Sequence, residues 1–233
     1  MIRWDYVLAG VAILLAIPSL FAPWYSGPQA IVVASAIAAI ALLLAALVVQ
    51  RNLNRPAISV RAQTTSVIFE NDRTIARLVK SYEFRVHRKG LDHWVHRNIS
   101  AEGQVSDFRW NGEIVPGGDI VKRSAYFQVT VRNRYAWPLD TTIRGELSYV
   151  LTDSFEEDVE YLQYVSDMPT QRARLRVEFP PNDQCTSAYL QRRENGVVET
   201  FEDGVERDPQ GRWLEAAVKN PKGGQEYTVF WHW

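Results

Sequence analysis

The sequence contains a single cysteine, Cys185, and two methionines among 233 residues. One cysteine excludes an intrachain disulfide and the paired CxxC ligands of zinc and redox sites. The chain also lacks a glycine-rich phosphate loop and an HExxH helix. These absences remove P-loop nucleotide hydrolysis and HExxH-type zinc proteolysis from the functions that the sequence indicates.

Histidine is scarce as well, and three of the four histidines lie within ten positions, at His87, His93 and His96. On a strand, His93 and His96 point to opposite faces because an odd number of positions separates them. No Ser-His-Asp arrangement stands out, and the acidic runs 153–160 and 202–208 are typical of solvated loops and edges. We therefore predict no metal site, no cofactor and no enzymatic activity.

Two long apolar segments open the chain. The clearer one, residues 30–49, has one serine and no charge, and the other, residues 4–24, has one charge near its end. Each is long enough to span the roughly 30 Å hydrocarbon core of a bilayer. We predict a transmembrane hairpin over residues 1–50, with spans at about 4–24 and 29–50. A cleaved signal peptide is the alternative for the first segment, and a buried globular helix for the second.

The positive-inside rule gives this hairpin an orientation, because the turn between the segments carries no lysine or arginine. Both ends of the hairpin carry arginines, at Arg3, Arg51, Arg55 and Arg61. We therefore expect a multi-pass protein with its N- and C-termini in the cytoplasm. Residues 51–55 would form a linker, and residues 56–233 a cytoplasmic domain.

The predicted cytoplasmic domain reads as β-structure. Apolar residues alternate with polar ones at Tyr82, Phe84 and Val86, which predicts a half-buried strand. A turn at residues 89–92 follows, and residues 93–99 read as the return strand of a hairpin. We count about ten strands separated by glycine, proline and Asn-Gly turns, which predicts a β-barrel or an immunoglobulin-like β-sandwich.

Two segments of the domain carry further expectations. Residues 72–80 form its one plausible helix and equally fit a strand. The segment from Tyr227 to Trp233 places Tyr227, Val229, Trp231 and Trp233 on one face and Phe230 on the other. A strand that is apolar on both faces is usually central in its sheet.

Charge is divided unevenly along the chain. Residues 51–135 hold 15 basic and 8 acidic side chains, a net charge of +7, and residues 136–233 hold 10 basic and 18 acidic, a net charge of −8. One interpretation is that the basic half faces anionic lipid headgroups. The other is a site for an anionic ligand, since arginine donates bidentate hydrogen bonds to phosphate and tryptophan stacks on a base. The candidate ligand-binding residues are Arg85, His87, Lys89, Trp94, Arg97, Arg109, Trp110 and Arg132.

In this layout of a two-helix hairpin, a short basic connector and a β-rich domain, the chain resembles the two-transmembrane β-barrel effectors of bacterial CBASS antiphage systems. The resemblance covers the whole chain in layout and rests on no diagnostic motif. It implies a domain that binds a cyclic oligonucleotide, a homo-oligomer formed on binding, and helices that disrupt the bacterial inner membrane. The FPP turn and the YTVFWHW segment look equally like immunoglobulin-like sandwich modules.

Two functions follow as expectations. The first is a membrane effector of antiphage defence that senses a cyclic nucleotide, with the lipid bilayer and further copies of itself as partners and no nucleic acid polymer. The second is a membrane-tethered immunoglobulin-like interaction module without lethal activity.

Overall fold

The computed structural model describes residues 35–36, 39–47, 50, 56–99, 102–124 and 126–233. The chain divides into two units, residues 1–56 and residues 57–233. The second unit is built of β-strands connected by turns and two short 3-10 turns, Gly117–Asp119 and Glu202–Gly204.

The described residues form fifteen strands, numbered here in chain order. They are β1 (Ile58–Phe69), β2 (Ile75–Val86), β3 (His93–Ile99), β4 (Gln104–Trp110), β5 (Glu113–Ile114), β6 (Ile120–Lys122), β7 (Phe127–Arg132), β8 (Thr142–Thr152), β9 (Val159–Val165), β10 (Thr170–Glu178), β11 (Ser187–Glu194), β12 (Val197–Phe201), β13 (Glu206–Arg207), β14 (Trp213–Lys219) and β15 (Glu226–His232).

Eight of these strands form one large sheet, in the order β13-β14-β10-β1-β2-β8-β4-β5. Its pairings are antiparallel except for β1 and β10, which run parallel. A parallel pair needs a long crossover connection, and here the strands from β2 to β9 lie between the two partners along the chain. The centre of the sheet is therefore assembled from segments that are far apart in sequence.

Two smaller sheets cover one face of the large sheet. The four-stranded sheet has the order β12-β11-β15-β9, and the three-stranded sheet the order β3-β7-β6. Phe69 of β1 packs edge-on against Trp233, next to β15, with ring centroids 5.1 Å apart. Phe84 of β2 packs in the same way against Trp94 of β3, at 4.9 Å. The core thus lies between the large sheet and both small ones, in two layers of open sheets.

The alternation within β2 shows how the sequence produces this arrangement. Leu78, Tyr82 and Phe84 are buried, while the odd-numbered residues between them point to the other face and are partly or fully exposed. Successive strand residues alternate between faces, so one face of β2 meets the small sheets and the other meets solvent. The predicted strand at 82–86 is confirmed, and the segment 72–80 is a turn followed by strand from Ile75.

The predicted transmembrane hairpin is contradicted by the structure. No helix within the described residues is long and apolar enough to cross a membrane. The two-helix fold class and the multi-pass inner-membrane localisation are both corrected on this finding.

Parts of that prediction lie outside the described residues. These parts are the first span at residues 4–24, the turn that follows it, residues 29–34, 37–38 and 48–49 of the second span, and the linker at residues 51–55.

The predicted hairpin between residues 82–86 and residues 93–99 is also wrong. β2 pairs with β1 and β8 in the large sheet, whereas β3 pairs with β7 in the three-stranded sheet. The turn at Gly90 carries the chain from one layer to the other instead of folding it back in the same sheet. The two segments meet face to face through side chains, which changes the set of residues that they bring together.

Candidate functional site

A cleft lies between the two small sheets, where neither covers the large sheet completely. Its floor is formed by the large sheet, with Thr65 from β1 and Lys80 from β2 side by side. One wall is the edge strand β9, and the opposite wall contains Arg97 and Glu102 at the end of β3 and in the loop after it. The cavity volume is about 270 Å³. The cleft is thus a narrow groove with a polar floor in an otherwise apolar core.

Lys80 is the main feature of this floor. It occupies an inward position of β2 between Leu78 and Tyr82, where apolar side chains would be expected. Burial lowers the pKa of Lys80 to about 8, and the negative charge of Asp167 opposes this shift without cancelling it. Within the described part of the chain, no hydrogen bond or ion pair joins the Lys80 ammonium to another residue. Its charge is therefore only partly compensated by the protein.

Three carboxylates also line the cleft, at Glu102, Glu160 and Asp167. Glu160 is buried and accepts a hydrogen bond from the backbone N–H of Glu157 at 2.7 Å, so it holds the loop before β9. Burial raises the pKa of Glu160 despite this bond. Asp167 is the carboxylate that acts on Lys80, yet no ion pair within 4.0 Å forms between them.

His96 lies close to the floor and is almost completely buried. Its Nδ1 is 3.2 Å from the hydroxyl of Tyr82, and which of the two donates depends on the tautomer. Its Nε2 is buried without a hydrogen-bond partner among the described residues. Burial lowers the pKa of His96 to about 3, and the nearby charge of Lys80 adds to this effect. The imidazole is therefore neutral, and the cations that line the cleft are Lys80 and Arg97.

Of the eight residues predicted to bind a ligand, only Arg97 lines the cleft. Its side chain is exposed at the end of β3. The structure does not bring the eight residues into one cavity, and the hairpin predicted to carry those from Arg85 to Arg97 does not form. Their role in ligand binding stays a prediction.

Trp94 and Trp110 are part of the core. Trp94 packs against Tyr82 and Phe84 with ring centroids 4.6 and 4.9 Å apart. Trp110 lies on the inner face of the large sheet, directly over Gly145. Both indoles are at most 9 % exposed, so neither presents a face on which a base can stack.

Arg85 and His87 lie on the opposite face of β2 from the cleft. Asp140 is 3.6 Å from Nε of Arg85 and 3.6 Å from Nδ1 of His87. His87 also makes a 2.7 Å hydrogen bond with the hydroxyl of Ser59. These contacts join β2 to the loop before β8 and to β1, which is a structural role.

The remaining three predicted residues are dispersed over the surface. Arg109 donates hydrogen bonds to the carboxylate of Asp107, with the shorter at 2.9 Å, and Arg132 donates to Asp119 at 2.9 Å. Lys89 is exposed in the turn after β2. Arg109 is thus paired with an acidic residue of its own strand, β4, and Arg132 with one in the short 3-10 turn before β6.

Sequence reasoning missed Lys80 because residues 72–80 fitted a helix and a strand equally well. A signal was present, since Lys80 continues the period-two series of Leu78, Tyr82 and Phe84. A lysine at an inward position of such a series is rare unless it is paired or functional. Thr65 and the edge strand β9 gave no comparable signal, because their part in the cleft depends on the packing of two sheets.

Within the described residues, no group of three or more histidine, cysteine, aspartate or glutamate side chains is placed to hold a metal ion. Cys185 is buried, and burial raises the pKa of its thiol. The predicted cyclic oligonucleotide and homo-oligomeric partners stay predictions.

Comparison with known proteins gives no family. No family model matches the chain, and no curated protein matches it. Among solved structures, an M1 zinc metallopeptidase from Deinococcus radiodurans is similar at 13 % identity and a TM-score of 0.42, over 75 % of this chain and 42 % of that one. Aminopeptidase A from Legionella pneumophila is similar at 8 % identity and a TM-score of 0.42, over 77 % of this chain and 22 % of that one.

This chain therefore spans less than half the length of those proteins. Both of them are peptidases by name, but the similarity is too low to transfer an activity. The prediction that this chain is not an enzyme stays a prediction.

Proposed function

We propose that residues 57–233 are a recognition module that binds an anionic group of its ligand in the cleft at Lys80. The observation that carries this proposal is the ammonium of Lys80 on the floor of a cleft, without an ion pair in the described part of the chain. A partly buried charge that is not fully compensated costs stability, and a ligand anion that pairs with it recovers this free energy on binding.

The size of the cleft limits the ligand. A cavity of about 270 Å³ lies just below the range of roughly 300–1,000 Å³ in which drug-sized ligands are buried. A carboxylate or a single phosphate with a short apolar extension fits this volume. A cyclic di- or trinucleotide would need to leave most of its surface outside the cleft.

The proposal is close to the predicted interaction module and leaves out membrane disruption. We propose binding rather than catalysis because the observation behind the proposal is the incompletely compensated charge of Lys80. A charge of this kind can attract an anion without any chemical step. The cyclic nucleotide predicted from the resemblance remains one of the anions to be tested.

Lysine titration by NMR tests the proposal directly. The chain has five lysines, so reductive methylation with ¹³C gives a small set of dimethyl-lysine signals. Loss of one signal in Lys80→Met assigns Lys80. We expect this signal to titrate near pH 8 in the free protein. Millimolar blocked glutamate or inorganic phosphate should move its titration to higher pH, because a bound anion favours the charged amine.

The control signals come from lysines outside the cleft, such as Lys89. The chemical shifts of these control signals should not change when the same anions are added. A Lys80 signal that no probe moves, with cyclic di- and trinucleotides included in the panel, would contradict the proposed function.

A further inference from the structure

The wall of the cleft is a strand edge with free backbone groups. β9 pairs with β15 on one side and, in the described part of the chain, with no strand on the other. The backbone carbonyl of Asp158 accepts from Trp233 at 3.3 Å, and the backbone N–H of Ser166 donates to Gln225 at 2.9 Å. Both ends of the ladder with β15 are thus fixed by even-numbered residues.

Backbone groups alternate in direction along an antiparallel strand. Even-numbered residues of β9 therefore bond β15, and odd-numbered residues direct their N–H and C=O groups to the free edge. These residues are Tyr161, Gln163 and Val165, and no described hydrogen bond uses their backbone groups on that side. An unpaired edge of this kind is a template for another strand.

The free edge borders the cleft rather than open solvent. Consecutive β9 residues from Glu160 to Val165 line the same cavity as Lys80, Arg97 and Glu102. The large sheet lies below this edge, and Arg97 and Glu102 lie opposite it. The cavity of about 270 Å³ is large enough for one inward side chain of a chain that runs along β9.

The side chains around the free edge of β9 determine which side chains an added strand would need. On the outer face of the four-stranded sheet, Tyr189, Phe230 and Tyr161 form a row with centroid separations of 5.1 and 5.9 Å. Tyr161 ends this row at the free edge and is 45 % exposed. On the inner face, Lys80 lines the same cavity as the buried β9 residues Leu162 and Tyr164. A strand added here would therefore present outward side chains to Tyr161 and inward side chains to the lysine.

From this geometry we infer that the cleft binds an extended peptide as a fifth strand along β9. The peptide places an acidic side chain inward on Lys80 and an apolar side chain outward beside Tyr161. Main-chain hydrogen bonds to the odd-numbered β9 residues supply affinity, and the two side-chain positions supply specificity, as in other cases of strand addition. The inference rests on the proposed function, because both use Lys80 as the anion site.

The test uses the full chain and a defined probe. The probe is an acetylated, amidated heptapeptide in which valine alternates with glutamate, and binding is measured by calorimetry. A second peptide has glutamine at every glutamate position. Two further peptides carry N-methyl groups on alternate residues, in one register or the other. We expect the glutamate peptide to bind, the glutamine peptide to bind about tenfold more weakly, and only one N-methyl register to abolish binding.

Protein variants locate the contact on β9. Gln163→Pro removes a backbone N–H that faces the cleft, and an edge strand tolerates proline at such a position. Gln163→Ala keeps the N–H and is the matched control. We expect peptide affinity to fall about tenfold in Gln163→Pro and to stay within about twofold of wild type in Gln163→Ala. Circular dichroism should show that both variants keep their β-structure.

The outcomes separate this inference from the proposed function. If peptides bind equally in both N-methyl registers and in Gln163→Pro, strand addition is wrong although the cleft binds anions. If blocked glutamate or phosphate shifts the titration of Lys80 but no peptide binds, the ligand is a small anion and the inference is also wrong. If neither the probe anions nor the peptides act on Lys80, both are wrong.

Discussion

Lys80 places a positive charge where the fold offers little to compensate it. Its neighbours along the inner face of β2 are Leu78 and Tyr82, and Asp167 acts on it only at a distance. Such a residue is a cost to stability that a binding function can explain.

We therefore predict that Lys80→Met stabilises the protein while it removes anion binding. Methionine has a similar length and no charge, so the unfolding free energy at pH 7 should rise on the order of 2 kcal/mol. Urea denaturation measures this change. Lys89→Met, in the exposed turn after β2, is the matched control and should change the unfolding free energy by less than about 0.5 kcal/mol. A clear loss of stability in Lys80→Met would contradict the prediction.

The pH dependence of this effect has a definite sign. The pKa of Lys80 is about 8 in the folded protein and near 10.5 in an unfolded chain. Below pH 8 the amine is charged in both states, and the full penalty is present. Between pH 8 and 10.5 the folded protein has lost a proton that the unfolded chain keeps, so this group's contribution to stability rises with pH. The advantage of Lys80→Met should therefore shrink from pH 7 to pH 10.

His96 predicts a loss of stability in acid. Its pKa is about 3 in the fold, against an ordinary value of 6.5. As the pH falls below 6.5, His96 becomes protonated in the unfolded chain, whereas in the folded protein it stays neutral down to about pH 3. The stabilisation that is present above pH 6.5 is then lost across this interval, on the order of 3–5 kcal/mol in total.

Urea denaturation at several pH values between 7 and 4 measures this loss. His96→Gln keeps a hydrogen-bonding group near Tyr82 and does not titrate, so its unfolding free energy should fall less steeply with pH. His93→Gln, at an exposed position of the same strand, is the matched control. Parallel curves for wild type and His96→Gln would contradict the assignment.

At the scale of single elements, the packing of Trp110 on β8 depends on one glycine, Gly145. A Cβ at Gly145 would lie 2.3 Å from Cη2 and 2.5 Å from Cζ2 of the Trp110 ring. The indole can cover the sheet there only because no side chain rises from it.

Gly145→Ala should therefore destabilise the protein by about 1–3 kcal/mol, as overpacking does in other cores. Thermal unfolding by circular dichroism measures the effect. Gly117→Ala is the matched control, since a Cβ at Gly117 meets no atom within 4 Å and the residue has no positive φ. Equal melting temperatures for the two variants would show that the Trp110 ring shifts without cost.

Elements with strong alternation were predictable from the sequence. The strands at 82–86 and 227–233 are where the pattern predicts them, and β15 is central in its sheet, between β11 and β9. The Asn-Gly turn after β4 is also confirmed, with φ of 50° at Asn111 and 85° at Gly112. These features depend on residues that are neighbours in the chain.

Which strands lie beside each other in a sheet was not predictable from the sequence in the same way. The partner of β3 is β7 rather than β2, and β1 pairs with β10 across about a hundred residues. The period of a strand shows which residues are buried but not which strand lies beside it. The predicted ligand-binding residues are dispersed for this reason, because the strands expected to hold Arg85 and Arg97 side by side lie in different sheets. Ligand binding by these residues stays a prediction.

At the scale of the whole molecule, the strand order brings the basic and acidic halves of the sequence together, so that their charges partly neutralise each other. β1 and β2 come from the basic half and pair directly with β10 and β8 from the acidic half. Among the described residues, Arg73 pairs with Asp183 at 3.0 Å and Arg85 with Asp140 at 3.6 Å across the two halves. Part of the charge that suggested an anionic ligand or lipid headgroups thus pairs within the fold.

The same interleaving predicts how residues 57–233 unfold. Both small sheets pack on β1 and β2, through Phe69 on one side and Phe84 on the other. Neither small sheet can keep its apolar face covered once the large sheet opens, so the three sheets should unfold together.

Hydrogen exchange at increasing urea, read by mass spectrometry, tests this coupling. Peptides from β7 in the three-stranded sheet and from β15 in the four-stranded sheet should lose protection at the same midpoint. Loss of protection in β7 at clearly lower urea would show that the three-stranded sheet opens by itself. In that case the wall at Arg97 would be mobile, and the cleft would open without unfolding of the wall formed by β9. Coincident midpoints, in contrast, mean that both walls of the cleft are held by one core, so a ligand that binds there stabilises all three sheets equally.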